Sequence, residues 1–133
     1  MRLSEIRILI VDDEELIRQY LFQLLIGKGF SQVALAEHGE RAMEMIGSKR
    51  PHLIISDWIM PGINGLELLR QVRALPECQD IPFLMVTSQA SGPMVKEAIE
   101  AGANDYVVKP FRTDILIKKV GRLLQQADPQ LRL

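Results

Sequence analysis

The chain has 133 residues, 47% of them hydrophobic and 25% charged, and its 16 basic and 17 acidic side chains leave a formal net charge of -1. That length suits one domain able to bury a real core, and the mixed charge argues against a dedicated nucleic-acid or membrane-surface protein, which would carry a basic patch or stripe. No apolar run approaches the roughly 18 residues of a membrane span, the N-terminus lacks a small-residue cleavage site, and the single cysteine, Cys78, fits a reducing compartment; a cytoplasmic protein is expected.

In chain order, the first apolar run, Ile8–Val11, ends abruptly in four carboxylates within RILIVDDEE. A short, mostly apolar run is the pattern of a parallel strand buried on both faces. The next stretch has helical spacing, with Leu16, Ile17, Tyr20, Leu21, Leu24 and Leu25 on one face and Gly27 and Gly29 at its end. Val33–Ala36 predicts the second strand, and a helix from about Gly39 to Ile46 turns Ala42, Met43 and Ile46 inward. Leu53–Ser56 predicts the third strand, and GLELLRQVRAL a helix with Leu66, Leu69 and Val72 as its apolar stripe. After strand Phe83–Val86, Ser91-Gly92-Pro93 reads as the N-cap and first turn of a helix over MVKEAIEAG, with Gly102 its C-cap. Strand Tyr106–Val108 and a helix over roughly Thr113 to Gln126 complete the pattern, with Ile115, Leu116, Val120, Leu123 and Leu124 available to pack.

Five strand–helix units predict a single α/β domain: a doubly wound, five-stranded parallel sheet of (βα)5 type with helices on both faces. Its expected extent is residues 1–127, followed by a short tail, 128–133, too short to fold alone.

In such a sheet, ligands bind beyond the carboxyl ends of the strands, where the winding reverses. Asp12 and Asp13 end strand one, and Asp57 closes the run LIISD. If the strand order is 2-1-3-4-5, strands one and three are neighbours and the three carboxylates meet at one edge. Two such charges about 4 Å apart repel by roughly 4 kcal/mol at an effective dielectric near 20, so three together call for a cation or a raised pKa. An oxygen-only site of this kind suits Mg²⁺ or Mn²⁺. Helix capping explains Asp13 alone but not Asp57. Thr87 follows FLMV, and Lys109 follows YVV, so both end their strands in the same manner. A metal and a lysine beside a carboxylate are the parts needed to stabilise a transferring phosphoryl group, with Asp57 as a possible nucleophile.

VDDEE, ISDWIMPGINGLELL, MVTS and AGANDYVVKPF together resemble the receiver domain of two-component response regulators, in the family's order and intervals over nearly the whole chain. The fold this implies is flavodoxin-like, and DW.MP, LMVTS and YVVKPF most resemble the single-domain chemotaxis-type regulators. The resemblance implies that Asp57 takes a phosphoryl group from a sensor histidine kinase or phosphotransfer protein. It implies Mg²⁺ (or Mn²⁺) at Asp12, Asp13, Asp57 and the Ile59 backbone carbonyl, with Asp13 the direct ligand and Asp12 holding a metal-bound water. Lys109 and Thr87 would bind phosphoryl oxygens, helped by the backbone N–H groups of Trp58 and Ser88, and Tyr106 would be the aromatic switch. Lys109–Pro110 would be cis. Ile59 and Gln89 would flank the hydrolytic water and tune phosphoryl lifetime.

On this reading the chain is a signalling module rather than an enzyme with its own metabolic substrate. It catalyses its own phosphorylation and a slow dephosphorylation, and it switches a helix-four, strand-five, helix-five surface for a downstream protein target or output domain. A monomer or a weak, phosphorylation-linked dimer is expected. A Mg²⁺-dependent phosphohydrolase with an aspartyl nucleophile is the enzyme-class alternative, and a receiver cut from a longer regulator is another. A flavin or nucleotide binder is disfavoured, because DDEE after strand one repels phosphate. His38 and His52 read as solvated loop residues, Met43, Met45 and Met60 as core packing, and Lys118, Lys119 and Arg122 as a solvated basic face.

Overall fold

The computed structural model describes residues 1–88 and 91–132. Five parallel strands, β1 (Arg7–Val11), β2 (Gln32–Ala36), β3 (Leu53–Asp57), β4 (Phe83–Thr87) and β5 (Asp105–Val108), alternate with five helices: α1 (Glu15–Gly27), α2 (Gly39–Ser48), α3 (Gly65–Ala74), α4 (Gly92–Ala101) and α5 (Thr113–Ala127). The sheet order is β2-β1-β3-β4-β5, so the doubly wound topology is as expected. Each strand begins or ends within one residue of its predicted run, and both Asp57 and Thr87 are the last residues of their strands.

Side-chain alternation along the strands divides the interior in two. Leu9, Val11 and Ile54 face Ala42, Ile46, Leu69, Val72 and Ala98 on one side of the sheet. Ile8, Ile10, Leu53 and Ile55 face Leu21, Leu25, Leu116, Val120 and Leu124 on the other. The β-branched residues that crowd these strands fit a pleated surface packed on both faces. Only β3 and β4 are buried at every position; β2 and β5, at the edges, keep partly exposed side chains. The expectation of burial on both faces therefore holds at the centre of the sheet and fails at its borders.

Local signals set the helix ends. The Asn64 side chain accepts from the Glu67 N–H at 2.9 Å, and Glu67 Oε1 accepts from the Asn64 N–H at 3.0 Å, a reciprocal cap that starts α3. Ser91 caps α4, and Gly102 ends it in the left-handed region at φ +111°. Arg73 then ties α3 to the α4–β5 turn, donating from Nη2 to the Gly102 carbonyl at 2.9 Å and to Asn104 Oδ1 at 3.0 Å.

Four sequence readings need correction. Leu16 is 85% exposed and Tyr20 47% exposed, although both lie on the apolar stripe of α1. Ile17 beside them is partly buried and packs on the core, and full burial along α1 comes at Leu21 and Leu25. Tyr20 instead bonds the Thr113 hydroxyl at 2.5 Å and tilts against Phe111, ring centroids 6.2 Å apart. Ile115 is also exposed, at 38%. Neither histidine is simply solvated: His38 caps α2, its Nδ1 accepting from the Arg41 N–H at 3.0 Å, and His52 Nδ1 accepts from the Arg7 N–H at 2.9 Å. Burial, then the charges of Arg7 and Arg50, hold the His52 pKa below the ordinary imidazole value, which keeps that acceptor neutral. Lys119 is not part of a solvated face, as shown below. The segment after α5 folds back far enough to bury Leu131 among the residues packed on the α1 and α5 side.

Candidate functional site

The carboxyl ends of β1, β3, β4 and β5 converge because the strands are nearly in step: Val11 pairs with Ser56, Asp57 with Val86, and Thr87 with Val108. Asp12, just beyond β1, is 2% exposed, and Asp57 is 6% exposed. Asp12 is held by its backbone N–H on the Ala36 carbonyl at 3.2 Å, and its carbonyl accepts from Arg18 Nη1 at 2.7 Å. Its Oδ1 accepts from the Glu14 N–H at 2.9 Å. Asp57 Oδ1 accepts from the Trp58 N–H at 2.7 Å, while the Ser56 hydroxyl donates to the Asp57 carbonyl at 2.9 Å.

Lys109 Nζ donates to Asp12 Oδ2 at 2.9 Å and stands 3.3 Å from Asp57 Oδ2. The Lys109 N–H donates to the Thr87 carbonyl at 2.8 Å, which anchors the end of β5 against the buried Thr87. Carboxylate oxygens of Asp12, Asp13 and Asp57 all lie within 4.8 Å of one another, with Asp13 exposed. The Lys109–Pro110 peptide is cis.

The electrostatics follow from that crowding. Burial, then the Asp12 charge, raise the Asp57 pKa above the ordinary aspartate value, against the pull of Lys109 and of the Trp58 N–H. Burial works to lower the Lys109 pKa, but its hydrogen bond and charge contact with Asp12, then Asp57, carry it above the ordinary lysine value. One ammonium does not offset three carboxylates. An all-oxygen donor set with one member open to water has the chemistry of a divalent-cation site, and the fit to Mg²⁺ rests on that donor set.

The other expected site residues fall around this centre. Trp58 is 6% exposed, its ring in the core, and Ile59 beyond it is 52% exposed. Ser88 is exposed. Gln89 lies outside the described residues. Tyr106, half-buried, packs against the α2, α3 and α4 side of the core. Lys119 from α5 holds it there, donating to the Tyr106 carbonyl at 2.7 Å and to Asp105 Oδ1 at 3.0 Å, with Nζ 5.0 Å from the Tyr106 ring centroid. That grip corrects the reading of Lys119 as a solvated charge.

Gly65 has a part that its sequence position only hinted at. Its N–H donates to the Trp58 carbonyl at 2.8 Å, and a Cβ there would collide with the Asp57 carbonyl oxygen and come within 2.8 Å of the Trp58 Cα. Gly65→Ala is expected to displace the Asp57–Trp58 backbone and cost about 1–3 kcal/mol. Thermal unfolding and the Mg²⁺ response of Trp58 fluorescence would both register it; an unchanged melting temperature would show that the loop absorbs the methyl group.

A fold of this topology, with acidic residues, a hydroxyl and a lysine at the ends of β1, β3, β4 and β5, defines a receiver domain. The chain belongs to the response regulator receiver domain family, whose model matches residues 8–121. It is 39% identical over 122 residues to the chemotaxis protein CheY of Pseudomonas aeruginosa, covering 92% of this chain and 98% of that protein. Identity to chemotaxis protein CheY-3 of Vibrio cholerae is 36% over 123 residues, 92% of this chain and 95% of that one. The crystallised CheY4 of Vibrio cholerae superposes with a TM-score of 0.84 at 33% identity, covering 89% of this chain and 98% of that structure.

The protein is thus a receiver module of two-component signalling, and a receiver implies a phosphodonor histidine kinase and downstream targets. Receiver domains bind Mg²⁺ at an acidic pocket, and Asp12, Asp13 and Asp57 form such a group here. Among the described residues, no helix is long and apolar enough to cross a membrane.

Proposed function

We propose that Asp57 is the phosphoryl acceptor, and that its phosphorylation switches the surface formed by α4, β5 and α5. One observation carries this reading: Asp57 is a buried carboxylate at the end of a central strand, 3.3 Å from Lys109 Nζ and within 4.8 Å of the oxygens of Asp12 and Asp13. An Asp57 oxygen attacks phosphorus of a phosphohistidine, the P–N bond breaks, and the imidazole leaves with that electron pair and takes a proton from water. Lys109 pairs with a phosphoryl oxygen, the Thr87 hydroxyl turns to donate to another, and the Trp58 and Ser88 N–H groups face the rest. Asp13, Asp57 and the Ile59 carbonyl would hold Mg²⁺ (or Mn²⁺), Asp12 through a water, and the ion would supply positive charge beside the transferring group.

Thr87 moving toward phosphate leaves space beneath it, and Tyr106 turns in to fill it. Lys119, on both the carbonyl and the ring face of Tyr106, biases which rotamer is occupied. The output is protein binding by a cytoplasmic module spanning residues 1–127, monomeric or weakly dimeric when phosphorylated. Because Asp57 and Lys109 stand in one site that would also hold the cation, the module catalyses its own phosphorylation and slow dephosphorylation.

Ile59, exposed and apolar, gives the hydrolytic water nothing to bond. Ile59→Asn is therefore expected to shorten the lifetime of the phosphorylated protein several-fold, measured as decay of the phospho-form after donor removal. An unchanged lifetime would remove Ile59 from the hydrolysis account.

Trp58 is the only tryptophan and adjoins the acceptor, so the reading has a built-in probe. Titrating Mg²⁺ and then adding acetyl phosphate should change Trp58 fluorescence twice in wild type, with the second change absent from Asp57→Asn. A donor-dependent change that persists in Asp57→Asn would overturn the assignment.

A further inference from the structure

Glu14 is the carboxylate near Lys109 that the acceptor chemistry leaves without a task. It stands immediately before α1, at the N-cap position, where its side chain makes no capping hydrogen bond. Its Oε1 lies 3.8 Å from Lys109 Nζ and its side chain is 62% exposed. The other two carboxylates on that ammonium, Asp12 and Asp57, have side chains 2% and 7% exposed. Lys109 and a bound divalent cation are committed to the inner carboxylates and the incoming phosphoryl group. Glu14 is left on the solvent side of the ammonium, where a donor arrives.

We infer that Glu14 is a specificity-determining residue of the acceptor site, an electrostatic filter against free dianionic phosphoryl donors. The inference rests on Asp57 being the acceptor. A donor anion that enters alone meets a unit negative charge at the mouth, beside the ammonium it must reach. A donor carrying less charge, or a phosphohistidine presented beside a cation of its own protein, meets less repulsion. A dianion passing roughly 6–8 Å from one extra charge in water is disfavoured by about fourfold at low ionic strength, and by under about twofold near 0.5 M, where the screening length is short. A monoanion meets about half that barrier, or about twofold at low salt.

The test compares wild type, Glu14→Gln and Glu14→Lys at saturating Mg²⁺. Phosphorylation rates are followed by Trp58 fluorescence and intact mass, with acetyl phosphate as the dianionic donor and phosphoramidate as the monoanionic one. Melting temperatures are recorded alongside; this exposed, uncapping side chain should leave them alone. The inference predicts that Glu14→Gln accelerates acetyl phosphate about fourfold at low salt and phosphoramidate about twofold. The gain should fade at high salt and exceed about tenfold in Glu14→Lys. Equal rates in all three proteins would overturn it. So would an acceleration independent of donor charge and salt, which would mean that Glu14 acts only by detaining Lys109. If no donor phosphorylates the wild type, the acceptor reading itself fails and this inference falls with it; a phosphorylated wild type with an unresponsive Glu14 series fails the inference alone.

Discussion

Asp57→Asn is expected to melt at a higher temperature than wild type in metal-free buffer, while losing phosphoryl acceptance completely. The two effects share a cause. Asp57 is buried beside Asp12, and its raised pKa means that the folded state resists its ionisation. The folded protein therefore binds more protons than the unfolded chain between the ordinary aspartate value and the raised one, and stability falls as pH rises through that window. The penalty at neutral pH therefore exceeds that in acid below the window. Asparagine removes it while its side-chain oxygen still accepts from the Trp58 N–H, and Lys109 keeps Asp12. The gain should appear as a higher Tm at neutral pH. It should shrink toward zero as pH drops below the ordinary aspartate value, where wild-type Asp57 is already neutral. Thermal melts of both proteins across pH in EDTA check this. A destabilised Asp57→Asn at neutral pH would mean that the Asp57–Lys109 contact outweighs desolvation and Asp12.

Lys109→Ala should act in the opposite direction and more strongly. It removes the one side-chain cation that, among the described residues, touches both buried carboxylates, at 2.9 Å and 3.3 Å, and stranding buried charges typically costs about 3–5 kcal/mol. The raised Lys109 pKa gives the same sign: the ammonium's contribution is complete below the ordinary lysine value and is lost only as pH rises through the elevated one. At neutral pH wild type holds all of it and the variant none. The deficit should narrow in acid, where Asp57 protonates, and narrow again with saturating Mg²⁺, which supplies the missing positive charge. Urea unfolding with and without Mg²⁺ at two pH values gives the four numbers needed. A variant as stable as wild type in EDTA at neutral pH would show that solvent already shields these carboxylates. Signalling should fail in either case, because the phosphoryl group loses its ammonium partner.

The strand ends were legible because apolar runs stop where the sheet stops. RILIV, LIIS and FLMV each break at a polar residue, and the parallel register brings Asp12, Asp57 and Thr87 to one edge without further information. Lys109 was readable for the same reason, at the end of DYVV. Leu16 and Tyr20 were misplaced because helical periodicity states which face is apolar, and not which residues of that face find a partner to cover them. The Lys119–Asp105–Tyr106 contact left no sequence signal, since its members sit on different elements and a basic residue on a surface helix is usually solvated. His52 was missed as an acceptor for Arg7 because that bond spans 45 positions between two strand starts. Arg18 had a weak local signal, lying in the first turn after the carboxylates, where a side chain can fold back over the site, and Glu14 is itself one of the four carboxylates that end RILIVDDEE.

The most direct test is the location of the phosphoryl group. Wild-type protein is incubated with Mg²⁺ and acetyl phosphate, weighed intact, then treated with borohydride, which reduces an aspartyl phosphate to homoserine, and digested for peptide mass analysis. The account predicts a gain of one phosphoryl mass per chain and homoserine at position 57 alone. No mass gain, or reduction at another carboxylate such as Asp13 or Glu14, would contradict it.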